Sequence, residues 1–251
     1  MLMKLNNRDA FGSPKRYRSA SDAGLIHNGN DAYTKLLLHF DETDAAWTDS
    51  SSSAKTVVND SVTASTANKK FGAASCDMTV GHVHVPASAD FATGSGDFTY
   101  DGWFYINSDS RQGLIAFQND IKLAIDISSV GGTRRLGFWS SSNGTSWDIL
   151  QCDTAGAANS GNGTIQLSIN AWHHIAFVKN GARWMGFVDG ALDMDKIRVG
   201  YALCDVSAQN FNIARYGDGR IAGFGGLVDE FRFSNCARWI APFTPSAQAY
   251  N

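Results

Sequence analysis

Residues 172–190 read Trp-His-His-Ile-Ala-Phe-Val-Lys-Asn-Gly-Ala-Arg-Trp-Met-Gly-Phe-Val-Asp-Gly. Two alternating runs rich in β-branched and aromatic residues flank an Asn-Gly pair that tolerates the positive φ angles of a tight turn, so this segment predicts a β-hairpin. With Asn180 and Gly181 as a two-residue loop, Phe177 falls opposite Trp184, an aromatic pair that helps set the register. Asp189-Gly190 supplies the next turn signal. Residues 226–234, Gly-Leu-Val-Asp-Glu-Phe-Arg-Phe-Ser, predict a further strand, followed by Ala237-Arg238-Trp239.

The rest of the chain agrees with an all-β fold. Twenty-five glycines and only four prolines fit short strands joined by turns, and no stretch keeps a helical apolar period for more than about two turns. A β-sandwich of 251 residues is commonly one domain. Apolar strands are expected at 35–41, 56–58, 82–86, 97–105, 113–117, 121–127, 135–139, 147–150, 165–169 and 210–215. On the 97–105 strand Phe98, Tyr100, Gly102 and Phe104 share one face, while Thr99, Asp101, Trp103 and Tyr105 share the other.

Residues 1–34 differ in character. Five basic residues stand against three acidic ones, a balance of +2, and there is little apolar content, so the segment cannot build a core. It is expected to be an extended docking arm, with Arg8, Phe11, Lys15, Arg16, Tyr17 and Arg18 as its contact residues; residues 35–251 form the sandwich and a short tail. The formal net charge of −3 argues against nucleic acid as a partner. No apolar run approaches the roughly 20 residues of a membrane span, and the first residues lack the apolar core of a signal peptide, so cytoplasmic synthesis without a membrane partner is expected. Cys76, Cys152, Cys204 and Cys236 are far apart with no CxxC pair, which fits free buried thiols.

Several motifs resemble one family. Residues 37–41 (Leu-Leu-His-Phe-Asp), 70–74 (Lys-Phe-Gly-Ala-Ala), 97–105 (Asp-Phe-Thr through Trp103-Phe104-Tyr105), the 172–190 hairpin, the 226–234 strand and Phe243-Thr244-Pro245 together resemble the laminin-G-like, concanavalin A-like lectin/glucanase jelly roll, of the kind found in tailed-bacteriophage structural proteins. In residues 210–215 Ala214 stands where that family usually has glycine. The resemblance implies a two-sheet antiparallel jelly-roll β-sandwich. For function it implies a structural or decoration protein of a virion, its arm docked on capsid or tail proteins and its sandwich outward, commonly as a trimer. The alternative it implies is a carbohydrate-binding module for host-surface glycans, assisted by calcium.

Catalytic signals are missing. Glycosidases on this fold place alternate carboxylates of an E-x-D-x-x-E strand on one face as nucleophile and acid. The acidic pairs in this chain are Asp41-Glu42, Asp193/Asp195, expected in a turn after Gly190, and Asp229-Glu230, expected to hydrogen-bond turn backbone. No G-x-S-x-G elbow occurs either, so no enzyme is expected. His82 and His84, two apart on a strand, read as a surface or packing pair, and His173 and His174 as neighbours on opposite faces. No cofactor is expected apart from calcium, for which the loop-adjacent Asp41, Asp77, Asp148 and Asp218 are the candidate oxygen donors.

Sugar rings stack on aromatics while flanking polar side chains bond their hydroxyls. Trp139, Asn143, Trp147 and Asp148 are the candidate glycan residues, because two tryptophans flank the Asn143-Gly144 turn. A two-residue loop sends the two rings to opposite faces of the sheet; a three-residue loop sets them side by side. The sequons at 59–61, 143–145 and 162–164 read as turns.

Overall fold

The computed structural model describes residues 29–118, 121–128, 134–152, 156–216 and 223–251. Fourteen strands follow in chain order: β1 (Thr34–Leu38), β2 (Val58–Asp60), β3 (Thr63–Ser65), β4 (Ser75–Asp77), β5 (His82–Val85), β6 (Phe98–Ile106), β7 (Gln112–Phe117), β8 (Leu123–Ser128), β9 (Arg135–Ser140), β10 (Ala171–Asn180), β11 (Arg183–Val188), β12 (Ala191–Ile197), β13 (Phe211–Ile213) and β14 (Leu227–Ser234). Among the described residues the one named helical turn is a 3-10 turn at Ala89–Phe91. It falls where the sequence carries Ser-Ala-Asp-Phe, and the Ser88 hydroxyl accepts from the Asp90 N–H as its cap.

The strands build two antiparallel sheets. One has eight strands in the order β12-β11-β10-β6-β14-β4-β3, with β1 also pairing β14; the other has six, in the order β2-β5-β13-β7-β8-β9. This is the expected all-β jelly-roll sandwich. Period-2 alternation sends one face of each strand into the shared core: Phe98, Tyr100 and Phe104 from β6, Ile175 and Phe177 from β10, Leu123, Ile125 and Ile127 from β8. Phe91, Phe117, Phe211 and Phe233 meet at centroid separations of 5.3–5.8 Å, bridging the two sheets with edge and tilted aromatic contacts.

The hairpin forms with a different register from the expected one. Asn180 pairs Arg183, Lys179 pairs Trp184 and Phe177 pairs Gly186. The loop is therefore Gly181-Ala182, and Gly181 alone takes a positive φ, +57°. That fits a turn needing glycine at its first central position, so Asn180 remains in the strand. Phe177 and Trp184 still touch diagonally, at 6.0 Å between centroids. Further expectations shift: β2 starts at Val58 instead of residue 56, residues 147–150 and 165–169 form no strand, and Asp193 and Asp195 lie on β12 instead of in a turn. Gly186 pairs Met194 while Phe187 pairs Leu192, so Asp193 is the bulged residue, held by the N–H groups of Thr164 and Ile165. Asp195 instead pairs Arg183 at the surface, which separates the two carboxylates by role.

β14 carries another bulge, between Asp229 and Arg232, with Glu230 at φ +51°. It aims two adjacent carboxylates at different partners. Asp229 accepts from the Lys70 and Phe71 N–H groups, the turn-backbone role expected of it. Burial, helped by nearby Glu230 and Asp41, pushes its carboxyl up to about 8 against those two donors. Glu230 pairs both oxygens with His39 Nδ1, at 2.9 and 3.0 Å, and accepts from the Tyr250 N–H. All four cysteines are buried and none is in a disulfide.

Candidate functional site

Two outer faces could present a site, and they differ in cover. On the eight-stranded sheet, Asp101 of β6 points away from the core beside Arg232 of β14 and His174 of β10. The Arg232 guanidinium donates two bonds of 3.1 Å to Asp101, and the Tyr250 hydroxyl donates a third of 2.6 Å. With that proton given to Asp101, His174 Nε2 donates to the Tyr250 oxygen at 3.0 Å. Burial alone would raise the Asp101 pKa, but the charge and hydrogen bonds of Arg232, with His174 Nε2 3.6 Å away, hold it well below the usual carboxylate range. The C-terminal segment closes this face: Trp239 and Phe243 stack at 4.0 Å, and Arg232 lies 4.0 Å over the Tyr250 ring. Asp101 and Glu230 are thus both fully buried and paired.

On the outer face of the six-stranded sheet, Asn212, Ala116, Ala124 and Trp139 are buried, and His84 and Trp147 toward its two edges are half-buried. Register alignment runs one row of outward side chains across it: Val58 pairs His84, His84 pairs Asn212, Asn212 pairs Ala116, Ala116 pairs Ala124 and Ala124 pairs Trp139. Small residues make the floor between a histidine edge and a tryptophan edge. At the tryptophan edge Trp147, half-buried, packs on Trp139 at 5.4 Å between centroids and 56° between planes. Trp139 itself is 7 % exposed, within a small cluster of Ala116, Ala124, Cys152 and Tyr216. Arg111 spans this edge, its guanidinium 5.6 Å from the Trp139 ring and donating twice to buried Asp126.

The tryptophans lie side by side, but not through a three-residue loop. Ser140 bridges Leu150, so residues 141–149 form one long connection that folds Trp147 back over β9. Asn143 and Asp148 shape that connection. Asn143 Oδ1 accepts from the N–H groups of Thr145 and Ser146, and the Asp148 carboxylate takes the Ser142 N–H and hydroxyl. Both carry loop geometry, and Trp147 presents the aromatic surface. Arg111 and Tyr216 belong to the same edge and were missed in the sequence, since neither sits in a motif and only the fold brings them to Trp139.

The calcium candidates do not gather into one set. Asp41 accepts from the Ala73 N–H, Asp77 from the Thr79 N–H and hydroxyl, and Asp148 from Ser142. Asp218 lies outside the described residues, as do Arg8, Phe11, Lys15, Arg16, Tyr17 and Arg18 of the arm. Among the described residues the one group of three side chains with metal-ligating atoms close together is Asp60, His82 and His84, at the histidine edge of the six-stranded sheet. His173 and His174 do point to opposite sides, His173 to Asp189 and Ser168, His174 to Tyr250. A separate shallow cleft of about 280 Å³, lined by Asp90, Thr93, Asp97 and Asn235 among others, has no aromatic wall. Among the described residues no helix is long and apolar enough to cross a membrane.

Comparison with known proteins agrees with this geometry. Residues 77–239, well over half of the chain, match the laminin-G family model described as the concanavalin A-like lectin/glucanases superfamily. Among solved structures, domain 4 of AbnA, a GH43 extracellular arabinanase from Geobacillus stearothermophilus in complex with arabinotriose, superposes with a TM-score of 0.59 at 14 % identity, covering 83 % of this chain and 95 % of that one. The binding domain of Paraclostridial Mosquitocidal Protein 1 gives 0.59 at 12 % identity, over 82 % of this chain and 49 % of that one. The binding domain of botulinum neurotoxin DC in complex with SialylT gives 0.57 at 15 % identity, over 82 % and 48 %. The chain thus spans about half the length of these toxin domains, and at such identities the likeness is one of fold. No curated protein matches the sequence.

Proposed function

We propose a function from one premise: the chain belongs to the concanavalin A-like lectin/glucanase superfamily. It is a non-catalytic carbohydrate-binding module that takes a sugar chain on the outer face of the six-stranded sheet. The observation that carries this reading is Trp147, half-exposed and held against the fixed ring of Trp139 beside the Arg111 guanidinium. A rigid aromatic face flanked by planar donors is what a sugar ring needs, apolar C–H surface against the ring and hydroxyls toward the polar rim. Two structural relatives are seen with a bound arabinotriose and a bound SialylT, which supports sugar as the ligand class. A non-catalytic role is supported by the sealed, ion-paired state of Asp101 and Glu230 on the other sheet.

The test is a glycan array with the full chain, followed by titration calorimetry on the best binder with wild type and Trp147→Ala. Loss of a stacking contact worth about 1.4 kcal/mol weakens binding about tenfold, and at least that loss is expected. Absence of any binder, or equal affinity in Trp147→Ala, would refute the reading.

A virion structural role is a second reading, and it adds a location to the same module. The observation favouring it is where the chain enters the sandwich. The Gly29 carbonyl accepts from Arg232, Asp31 pairs Arg238, and the Asn30 N–H bonds the Asn251 carbonyl, all on the closed side of the eight-stranded sheet. An arm docked from that side on capsid or tail proteins would leave the six-stranded face outward. Removing residues 1–28 is expected to abolish incorporation into particles while leaving sugar binding intact; normal incorporation of the truncated chain would contradict it.

A further inference from the structure

We propose that Asp60, His82 and His84 form a site for a divalent transition-metal ion of the zinc type, with one coordination position left open to solvent. The inference does not depend on the sugar reading. Asp60 of β2 pairs His82 of β5, and His84 lies two residues on, so all three side chains share the outer face. Val83 and Val85 between and beyond the histidines are buried in the core, which prevents a register slip that would scatter the set. The Asp60 Oδ2 atom lies 3.1 Å from His82 Nε2 and 2.5 Å from His84 Nδ1, and the two rings stack at 28° and 6.0 Å.

Zinc bonds of about 2.0–2.2 Å in tetrahedral geometry separate ligand atoms by roughly 3.3 Å. The His82 contact is close to that spacing, the Asp60–His84 contact is shorter, and the three ligand atoms all lie within 4.8 Å of one another. Two imidazoles and a carboxylate suit zinc and its neighbours far better than calcium.

The backbone holds Asp60 in place before any ion arrives. The Asn59 side chain ties the 59–62 turn through Val62 N–H, Val62 carbonyl and Ala45 carbonyl, and Ser61 takes a φ of +72°. Gly81 lets β5 approach closely, since a Cβ there would overlap the Asp60 carbonyl. One group opposes the ion: the exposed Arg215 guanidinium lies 3.3 Å from His82 Nε2. Its long side chain can swing into solvent, but its charge weakens the site.

The experiment titrates the metal-stripped full chain with Co²⁺ and with Zn²⁺, following visible d–d absorption and heat. Saturable binding of one ion is expected, weakened about tenfold or more in each of Asp60→Asn, His82→Gln and His84→Gln. Arg215→Gln should bind more tightly than wild type. No saturable binding, wild-type affinity retained in any of the three ligand variants, or a thiolate-to-cobalt charge-transfer band reporting the cysteines would each overturn the proposal.

Discussion

Gly186 of β11 and Phe138 of β9 show how single residues join the two sheets. A Cβ at Gly186 would overlap the Phe138 ring, which also lies 5.1 Å from Phe177 between centroids. The missing side chain of one sheet is the socket for a ring of the other. Gly186→Ala is therefore expected to cost about 1–3 kcal/mol, because a close-packed interior has no room for an extra methyl. Chemical denaturation measures it; an unchanged midpoint would show that Phe138 can move aside at no cost. Ala214, by contrast, was marked in the sequence as standing where glycine is usual. It adopts a φ of +66°, which is the physical reason glycine suits that position.

Among the elements, β14 organises the larger sheet. It pairs β6 along one side, β4 and β1 along the other, and its bulge turns Glu230 toward His39, just after β1. The hydrogen bond that His39 donates to Glu230, outweighing burial, raises the His39 pKa above its ordinary value. A histidine raised on folding stabilises fully below its unfolded pKa of about 6.5, and that stabilisation fades as pH rises through the folded value. The stability gap between wild type and His39→Gln is thus predicted to be widest near pH 6 and to shrink as the medium turns alkaline. A gap that does not vary with pH would mean that the His39–Glu230 pair does not act through its charge.

Most of these elements were legible, because β6, β10 and β14 are runs rich in β-branched and aromatic residues bounded by turn signals. The hairpin register was not: both Asn180-Gly181 and Gly181-Ala182 satisfy the turn rule, and only packing against β6 and β12 chooses between them. The candidate site was half legible. The tryptophans and histidines stood out in the sequence, but Asp60, Arg111 and Tyr216 reach them only across strands far apart in the chain.

At the scale of the whole molecule the sandwich is asymmetric. The outer side of the eight-stranded sheet is a second interior, built from Ala176, Val178, Met185, Phe187 and Trp239 and closed by the C-terminal segment. Tyr250 is its final bolt. Tyr250→Phe removes the 2.6 Å bond to Asp101 and leaves His174 Nε2 without its acceptor, a loss of about 2 kcal/mol, or roughly 4–8 °C in melting temperature. A melting temperature unchanged by the substitution would show that the hydroxyl is replaceable by water. Among the described residues no such lid covers the histidine edge of the six-stranded sheet, and the proposed ligand sites lie on that side.

The most direct test of that claim is a two-dimensional ¹⁵N–¹H spectrum of the full chain, titrated with the best binder from the glycan array. The Trp147 indole N–H and the backbone amides of residues 140–148 are expected to shift in a saturable way, while the Trp239 indole and the amides around Asp101 and Tyr250 stay still. Shifts concentrated at Trp239 and Tyr250, with Trp147 unmoved, would contradict it.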